Sequence, residues 1–222
     1  QGVSTNAEVA ILPKHNNRPE STLRSKGNKV QKSELSAEGP ILITHWGLSG
    51  PVILRLSAWG AILLNDFGYR FQIRINWLPD YQLKSILSLL METKKINARK
   101  SVAKARAVEV PRRLWTNLVK ASGISKDEKW AEVSKAKLHD LSEQLTEGIY
   151  MVKGKSTFKE EFVTAGGVEL SEINFKTFES KIHSNLFFAG EVINIDAITG
   201  GFNFQNAWTG AYIAAQAITN NN

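Results

Sequence analysis

The chain has 222 residues, 42% of them apolar and none of them cysteine, with a formal net charge of +7. That is enough for one large or two ordinary domains with a real core, and it excludes disulfides, thiolate catalysis and thiolate-bound metal. No stretch approaches the ~20 apolar residues of a membrane helix, so no membrane partner is expected, and the lack of cysteine fits a reducing, cytoplasmic setting.

Gln1 to Ser4 read as the interior of a fold, with no secretory leader, so the chain is expected to be a fragment of a longer protein. Residues 5–12 end in a short apolar strand, and the polar stretch 14–39 reads as a hairpin or long loop. Ile41-Leu42-Ile43-Thr44 is a strand. The loop after it carries His45, and Ser49 and Pro51 suit the N-cap and first turn of a helix. The helix over Val52 to Leu63 is mostly apolar and expected to be largely buried, with Asn65 to Gly68 stopping it. Tyr69 to Trp77 alternates apolar and polar without a break, which predicts a strand with one face on a core.

From Tyr81 the period becomes helical, with Leu83, Ile86, Leu87 and Leu90 on one face. A second helix is predicted over Asn97–Val108, broken by Pro111, and a third carries Leu114, Trp115, Leu118 and Val119. Ser125 with Glu128 three residues on has the form of a capping box and predicts a fourth. Leu138, Leu141 and Leu145 mark a last one, ending at Gly148. Residues 84–137 hold 14 Lys/Arg against 5 Asp/Glu, so the rest of the chain is close to neutral. A solvated helical surface is the favoured reading of these charges, and attraction to nucleic-acid phosphates is the alternative. The four histidines, His15, His45, His139 and His183, have no zinc spacing.

Ile149 to Val152 and Glu161 to Thr164 read as short strands, and Ser171 to Lys181 as polar and irregular. Leu186 to Glu191 reads as a buried strand with an acid at its carboxyl end. Asp196, the Gly200-Gly201 turn and a helix from Phe202 to about Ile218 follow. Strand, loop, glycine turn and helix start form the layout of a ligand site in an open α/β sheet. Glu191 suits hydroxyl groups, and the helix start suits an acceptor or a developing negative charge. The plain alternative is a tight turn beside a surface carboxylate.

Three blocks carry a resemblance: GPILITHWGLSGPVILRLS at 39–57, VTAGGVELSEINFKTFESK at 163–181 and LFFAGEVINIDAITGGFNFQNAWTGAYIA at 186–214. They resemble, in order and spacing, bacterial FAD-dependent flavoproteins that include aminoacetone oxidase-like and bile-acid-reductase-like members. The resemblance implies an α+β chain. A β-rich insert (1–79 and 149–160) with a helical subdomain (80–148) would fill residues 1–160. Residues 161–222 would be the C-terminal part of a Rossmann-like FAD-binding domain. The N-terminal GxGxxG segment of that family is not found in the sequence.

The implied activity is hydride transfer between a small organic substrate and flavin N5, with NAD(P)H or oxygen serving the other half-reaction. Gly190 and Glu191 would lie toward the ribityl chain, and Asp196 is retained among the cofactor-binding residues. Gly200, Gly201, Phe202 and Asn203 would set backbone N–H groups against the pyrimidine edge of the ring, and Thr164, Ala165, Gly166 and Gly167 would approach it closely. Asn194, Ala197, Phe202 and Phe178 depart from the Asp, Gly, Tyr and Met often found in the family. His45 is the candidate to shuttle a proton, a structural histidine bonded to backbone being the favoured alternative. Trp46, Trp59, Trp77 and Trp208 are read as core or interdomain packing. Two rival readings stand: an insert module that binds no flavin, and contact with nucleic acid through the basic helices 84–137, which is expected to be unlikely.

Overall fold

The structure is a computed structural model, and it describes residues 2–12, 35–156, 163–198 and 200–220. The chain divides into two compact units, one of residues 1–56 and 67–154, the other of residues 57–66 and 155–222.

The first unit is built on a five-stranded antiparallel sheet. Its strands are β1 (Val3–Ile11), β2 (Leu35–Ile43), β3 (Leu48–Ser49), β4 (Phe71–Asn76) and β5 (Gly148–Val152), in the order β3-β2-β1-β4-β5. Alternation dictates which residues fill the core. Phe71, Ile73 and Ile75 are buried while Gln72, Arg74 and Asn76 are not. Val9 sits between Ala37 and Ile75 in register, and all three are buried. β2 starts earlier than its apolar run and passes through Pro40. β3 pairs only with Leu42 and Ile43, so Pro40 has β1 as its one strand neighbour, a position where a missing N–H is tolerated.

The expected helix after β3 is two helices, α1 (Pro51–Trp59) and α2 (Ala61–Asp66). Ser49 belongs to β3 and does not cap α1; the Gly50 carbonyl instead accepts from Ile53 and Leu54 N–H, both at 3.0 Å. Gly50 has φ +97°, and a Cβ there would lie 3.0 Å from both Leu42 N and Pro40 O, so only glycine fits. The expectation of a largely buried helix fails. Val52, Leu56 and Leu64 are buried, whereas Leu54, Trp59, Ile62 and Leu63 are exposed, because short helices bury one stripe at a time.

Three helices complete the first unit: α3 (Leu83–Ile96), α4 (Arg112–Ala121) and α5 (Lys135–Thr146). α5 packs on both α3 and α4 and buries Leu138, Leu141 and Leu145. Ser134 caps α5, its hydroxyl accepting the Lys137 N–H at 3.2 Å.

Two predicted helices do not form. Residues 97–108 run as consecutive turns, and the segment opened by Ser125 yields only a 3-10 turn at Trp130–Glu132. Tertiary bonds override local propensity here. The Trp115 Nε1–H donates to the Val102 carbonyl at 2.9 Å, and the Trp130 Nε1–H to the Ala105 carbonyl at 3.1 Å. The capping pair is half realised without a helix, Glu128 Oε2 accepting the Ser125 N–H at 2.9 Å.

The second unit contains a two-stranded ribbon, β6 (Ile173–Asn174) with β7 (Glu179–Ser180), and a long helix, α6 (Phe202–Asn220). Its core is small: Ile173, Phe178, Ile193 and Ala214, with Phe187, Phe188, Ile195 and Ile213 packed around them. The expected buried strand over Leu186–Glu191 is not formed. Ser180 N–H donates to the Leu186 carbonyl at 2.7 Å and Phe188 N–H to the Phe178 carbonyl at 3.0 Å, and the chain then enters a 3-10 turn at Gly190–Val192. Among the described residues this stretch meets only Phe178 to Ser180, through isolated bonds rather than a ladder. The predicted strand Glu161–Thr164 lies partly outside the described residues, and Val163 and Thr164 form no strand. Among the described residues, no helix is long and apolar enough to cross a membrane.

Candidate functional site

Of the glycine turns singled out by sequence, Gly166-Gly167 meets the segment that follows Gly190-Glu191, within the second unit. The 163–168 segment lies on the 192–194 segment: Val168 N–H donates to the Val192 carbonyl at 2.8 Å, and Asn194 N–H to the Val168 carbonyl at 3.1 Å. Gly167, at φ +147°, makes that approach possible. A Cβ there would lie 2.5 Å from the Val192 carbonyl oxygen. α6 packs directly on the 3-10 turn Gly190–Val192. The loop into α6 is held by Asn203, whose side chain bonds both the N–H and the carbonyl of Ala197.

The surface so made is largely backbone. Gly166, Gly190 and Gly201 have φ of +100°, +83° and +87°, and a Cβ on any of them would meet nothing within 4 Å. Their conformation demands glycine, while the space in front of them is open. At the start of α6 the Gln205 N–H reaches the Gly201 carbonyl at 2.9 Å, so the N–H groups of Phe202, Asn203 and Phe204 have no acceptor within the helix. The first turn carries no acidic residue to neutralise that end. At Gly201 open space thus lies next to the free N–H groups of the α6 start, an arrangement able to receive acceptor atoms.

The remaining predicted residues take these places. Thr164 is exposed and Ala165 half-buried on the approach to Gly166. Glu191 is exposed on the 3-10 turn, and Asp196 is half-buried one residue before Ala197. Gly200 precedes Gly201 at φ +144°. Phe202 is exposed, as are Phe204, Trp208 and Tyr212, and the Phe204 and Trp208 rings stack with centroids 6.0 Å apart.

His45 belongs to the first unit, on the turn between β2 and β3. Thr44 builds that turn: its N–H donates to the Gly47 carbonyl at 2.9 Å and its Oγ1 accepts the Gly47 N–H at 3.1 Å. The His45 side chain is exposed and makes no hydrogen bond among the described residues. Trp77 is buried as expected and meets Tyr150 edge-on, with centroids 6.3 Å apart. Trp46, Trp59 and Trp208 are instead more than half exposed, so they are not core residues of their units.

Sequence reasoning missed the side chains that hold the platform together. Asn203 entered as a source of backbone N–H, yet its amide is the clamp on Ala197. Gly210 was unremarked, although a Cβ there would lie 2.7 Å from the Phe178 ring. The signal for Gly210 is its place in the middle of a helix, where glycine needs a packing reason.

An antiparallel sheet with helices packed beside it, together with a small unit rich in glycine turns, defines an α+β chain. The chain belongs to the HI0933-like family: residues 21–163 match its barrel and H2TH domain. The matched range holds β2 to β5 and α1 to α5, leaves out β1 and stops before Thr164.

The chain is similar to the ribosomal RNA dihydrouridine synthase of Escherichia coli, 31% identical over 178 residues, 80% of this chain and 42% of that protein. It is similar to the protein of the same name in Haemophilus influenzae, 30% identical over 179 residues, 81% of this chain and 42% of that protein. It is also similar to the 3-dehydro-bile acid delta(4,6)-reductase of Clostridium scindens, 25% identical over 216 residues, 97% of this chain and 49% of that protein. The chain thus spans less than half the length of each of these relatives.

Proposed function

We propose that this chain is part of a flavin-dependent reductase, and that the intact protein saturates the uracil ring of uridine in ribosomal RNA. The observation that carries the flavin reading is the close packing of the Gly167 loop on residues 192–194, next to the 3-10 turn at Gly190 on which α6 packs. The substrate is proposed from the two relatives near 30% identity, whose name describes making dihydrouridine in ribosomal RNA. The bile-acid reductase name describes reduction too, so one chemistry covers both: hydride adds to one carbon of a conjugated double bond and a proton to the other.

FAD, if bound, would supply the hydride chemistry, with NAD(P)H proposed as the source of electrons. The chain's part is to hold and polarise. Gly166, Gly167, Thr164 and Ala165 let backbone approach the ring face without side-chain clash. Gly200, Gly201, Phe202 and Asn203 offer N–H groups to the atoms where negative charge gathers on reduction, with the α6 dipole behind them. Glu191 and Asp196 are assigned to hydroxyl groups of the ribityl chain. His45, exposed on its turn in the first unit, is the residue proposed to move a proton, with no placement relative to the second unit implied. The missing GxGxxG segment would belong to the remainder of the protein.

The full-length protein tests this. It is expected to purify with FAD, to be bleached by NAD(P)H without oxygen, and to convert a ribosomal RNA transcript so that nuclease digests contain uridine heavier by two hydrogens. A colourless protein that takes up no added FAD overturns the flavin reading. A flavoprotein that reduces no uridine overturns the substrate.

A further inference from the structure

We infer that the two interlocked turns at 97–106 and 125–131 are a docking surface for the phosphate backbone of RNA. The inference rests on the RNA-substrate reading above and adds where the polymer is gripped.

The turns are tied by backbone rather than by side-chain charge. Val102 N–H donates to the Glu128 carbonyl, Trp130 N–H to the Lys100 carbonyl and Ala131 N–H to the Ala98 carbonyl, each at 3.0 Å. Ser101 Oγ adds a bond to the Lys126 carbonyl at 2.8 Å. From beneath, the indoles of Trp115 and Trp130 hold Val102 and Ala105. A segment that would otherwise be a mobile basic loop is thereby a fixed shape, and fixed cations lose less entropy on binding.

Residues 97–106 contain four basic residues and no acidic one. Arg99, Lys100, Lys104, Lys126 and Lys129 are exposed, and among the described residues their charged groups make no ion pair or hydrogen bond. Glu128 is neutralised by Lys137 at 2.9 Å, which leaves Asp127 as the one unengaged acid on these turns. Trp130, the one tryptophan of these turns, is buried, as is Trp115 of α4, so no aromatic face is presented for base stacking. The surface therefore reads charge and not sequence.

The test uses the full-length protein and a labelled ribosomal RNA transcript over a salt series. Affinity should fall steeply with salt. Lys100→Gln, Lys104→Gln and Lys129→Gln together should weaken binding by about 10- to 100-fold and flatten the log–log salt slope by about 2, since each lost phosphate contact removes ~0.7. Bound flavin and the melting curve should not change. A second measurement needs no variant: bound RNA should shield Lys100, Lys104 and Lys129 from amine acetylation more than the lysines elsewhere.

Unchanged affinity and slope in the triple variant, or shielding at other lysines only, overturns the docking surface while leaving the RNA substrate standing. Tighter binding to phosphatidylserine vesicles than to RNA, abolished by the same variant, overturns it in favour of a membrane. Conversely, if the variant loses RNA as expected while the intact enzyme reduces no uridine, the docking surface stands and the proposed reaction falls.

Discussion

Asn203 holds Ala197 from both sides: its Oδ1 accepts the Ala197 N–H at 2.8 Å and its Nδ2 donates to the Ala197 carbonyl at 3.0 Å. A side chain of the first turn of α6 thus satisfies both backbone groups of a loop residue that has no strand partner. It fixes the path of the loop carrying Gly200 and Gly201. Asn203→Ala leaves that half-buried pair unmet, at a cost of about 1–3 kcal/mol. The expected outcome is a lower melting temperature and faster amide exchange at Ala197, with helix content unchanged. Asn203→Asp keeps the acceptor alone and should fall between. Equal melting of the wild type and Asn203→Ala would mean that the loop is anchored elsewhere.

Neighbouring glycines separate two reasons for glycine. At Gly166 a Cβ has open space and only φ +100° stands against it, whereas at Gly167 it would also strike the Val192 carbonyl oxygen at 2.5 Å. The dihedral alone costs about 1–3 kcal/mol. The Gly167 collision adds the break of the Val168–Val192 and Asn194–Val168 bonds, since that backbone cannot give way without moving Ile193 out of the core. Gly167→Ala should therefore destabilise the second unit about twice as much as Gly166→Ala, read from chemical denaturation. If flavin binds as proposed, Gly166→Ala should lower flavin affinity more than its stability loss explains.

Gly210 tests which of two opposed effects wins. Alanine in mid-helix gains about 1 kcal/mol over glycine. Here its Cβ would sit 2.7 Å from Cε1 of Phe178, a buried ring that also stands edge-on to Phe175 at 5.5 Å. Overpacking of that kind costs about 1–3 kcal/mol, so Gly210→Ala should be destabilising on balance despite the better helix former. Shrinking the ring should reverse the sign: with Phe178→Leu in place, Gly210→Ala should stabilise. A double-mutant cycle showing strict additivity would deny the contact.

What could be read from the sequence divides along physical lines. Phe71 to Asn76, α4 and α5 were legible because one buried face imposes a period, 2 for the strand and 3.6 for the helices. The glycine turns were legible because positive φ leaves a compositional trace at Gly166-Gly167 and Gly200-Gly201. The segments that misled have local patterns compatible with one element and tertiary partners that impose another. Residues 97–108 have helical spacing, but the indoles of Trp115 and Trp130 take up carbonyls a helix would use. Leu186 to Glu191 has the apolar run of a buried strand, but among the described residues it meets only Phe178 to Ser180, and Gly190 at φ +83° leads it into a 3-10 turn. The clasp of Asn203 on Ala197 left no trace, because it joins a loop and a helix through one amide whose aim depends on the turn between them.

Acid should reveal the corner where Glu128 sits. Its carboxyl is held below its ordinary value of 4.5, first by the Ser125 N–H it accepts and then by Lys137, with burial opposing both. A carboxyl depressed in the folded chain contributes stability that is whole above the unfolded value. That stability is lost as the pH falls through the folded one. The contribution is about 1 kcal/mol, kept small by the partly exposed Lys137. Glu128→Gln should therefore melt below the wild type at pH 7, and the gap should narrow once the pH drops under about 4. Because the Ser125 bond is the larger cause, Lys137→Met should open a smaller gap at neutral pH than Glu128→Gln does. A Glu128→Gln gap that is the same at pH 7 and pH 3 would show that the carboxylate's charge contributes nothing, and that only the shape of the side chain matters there.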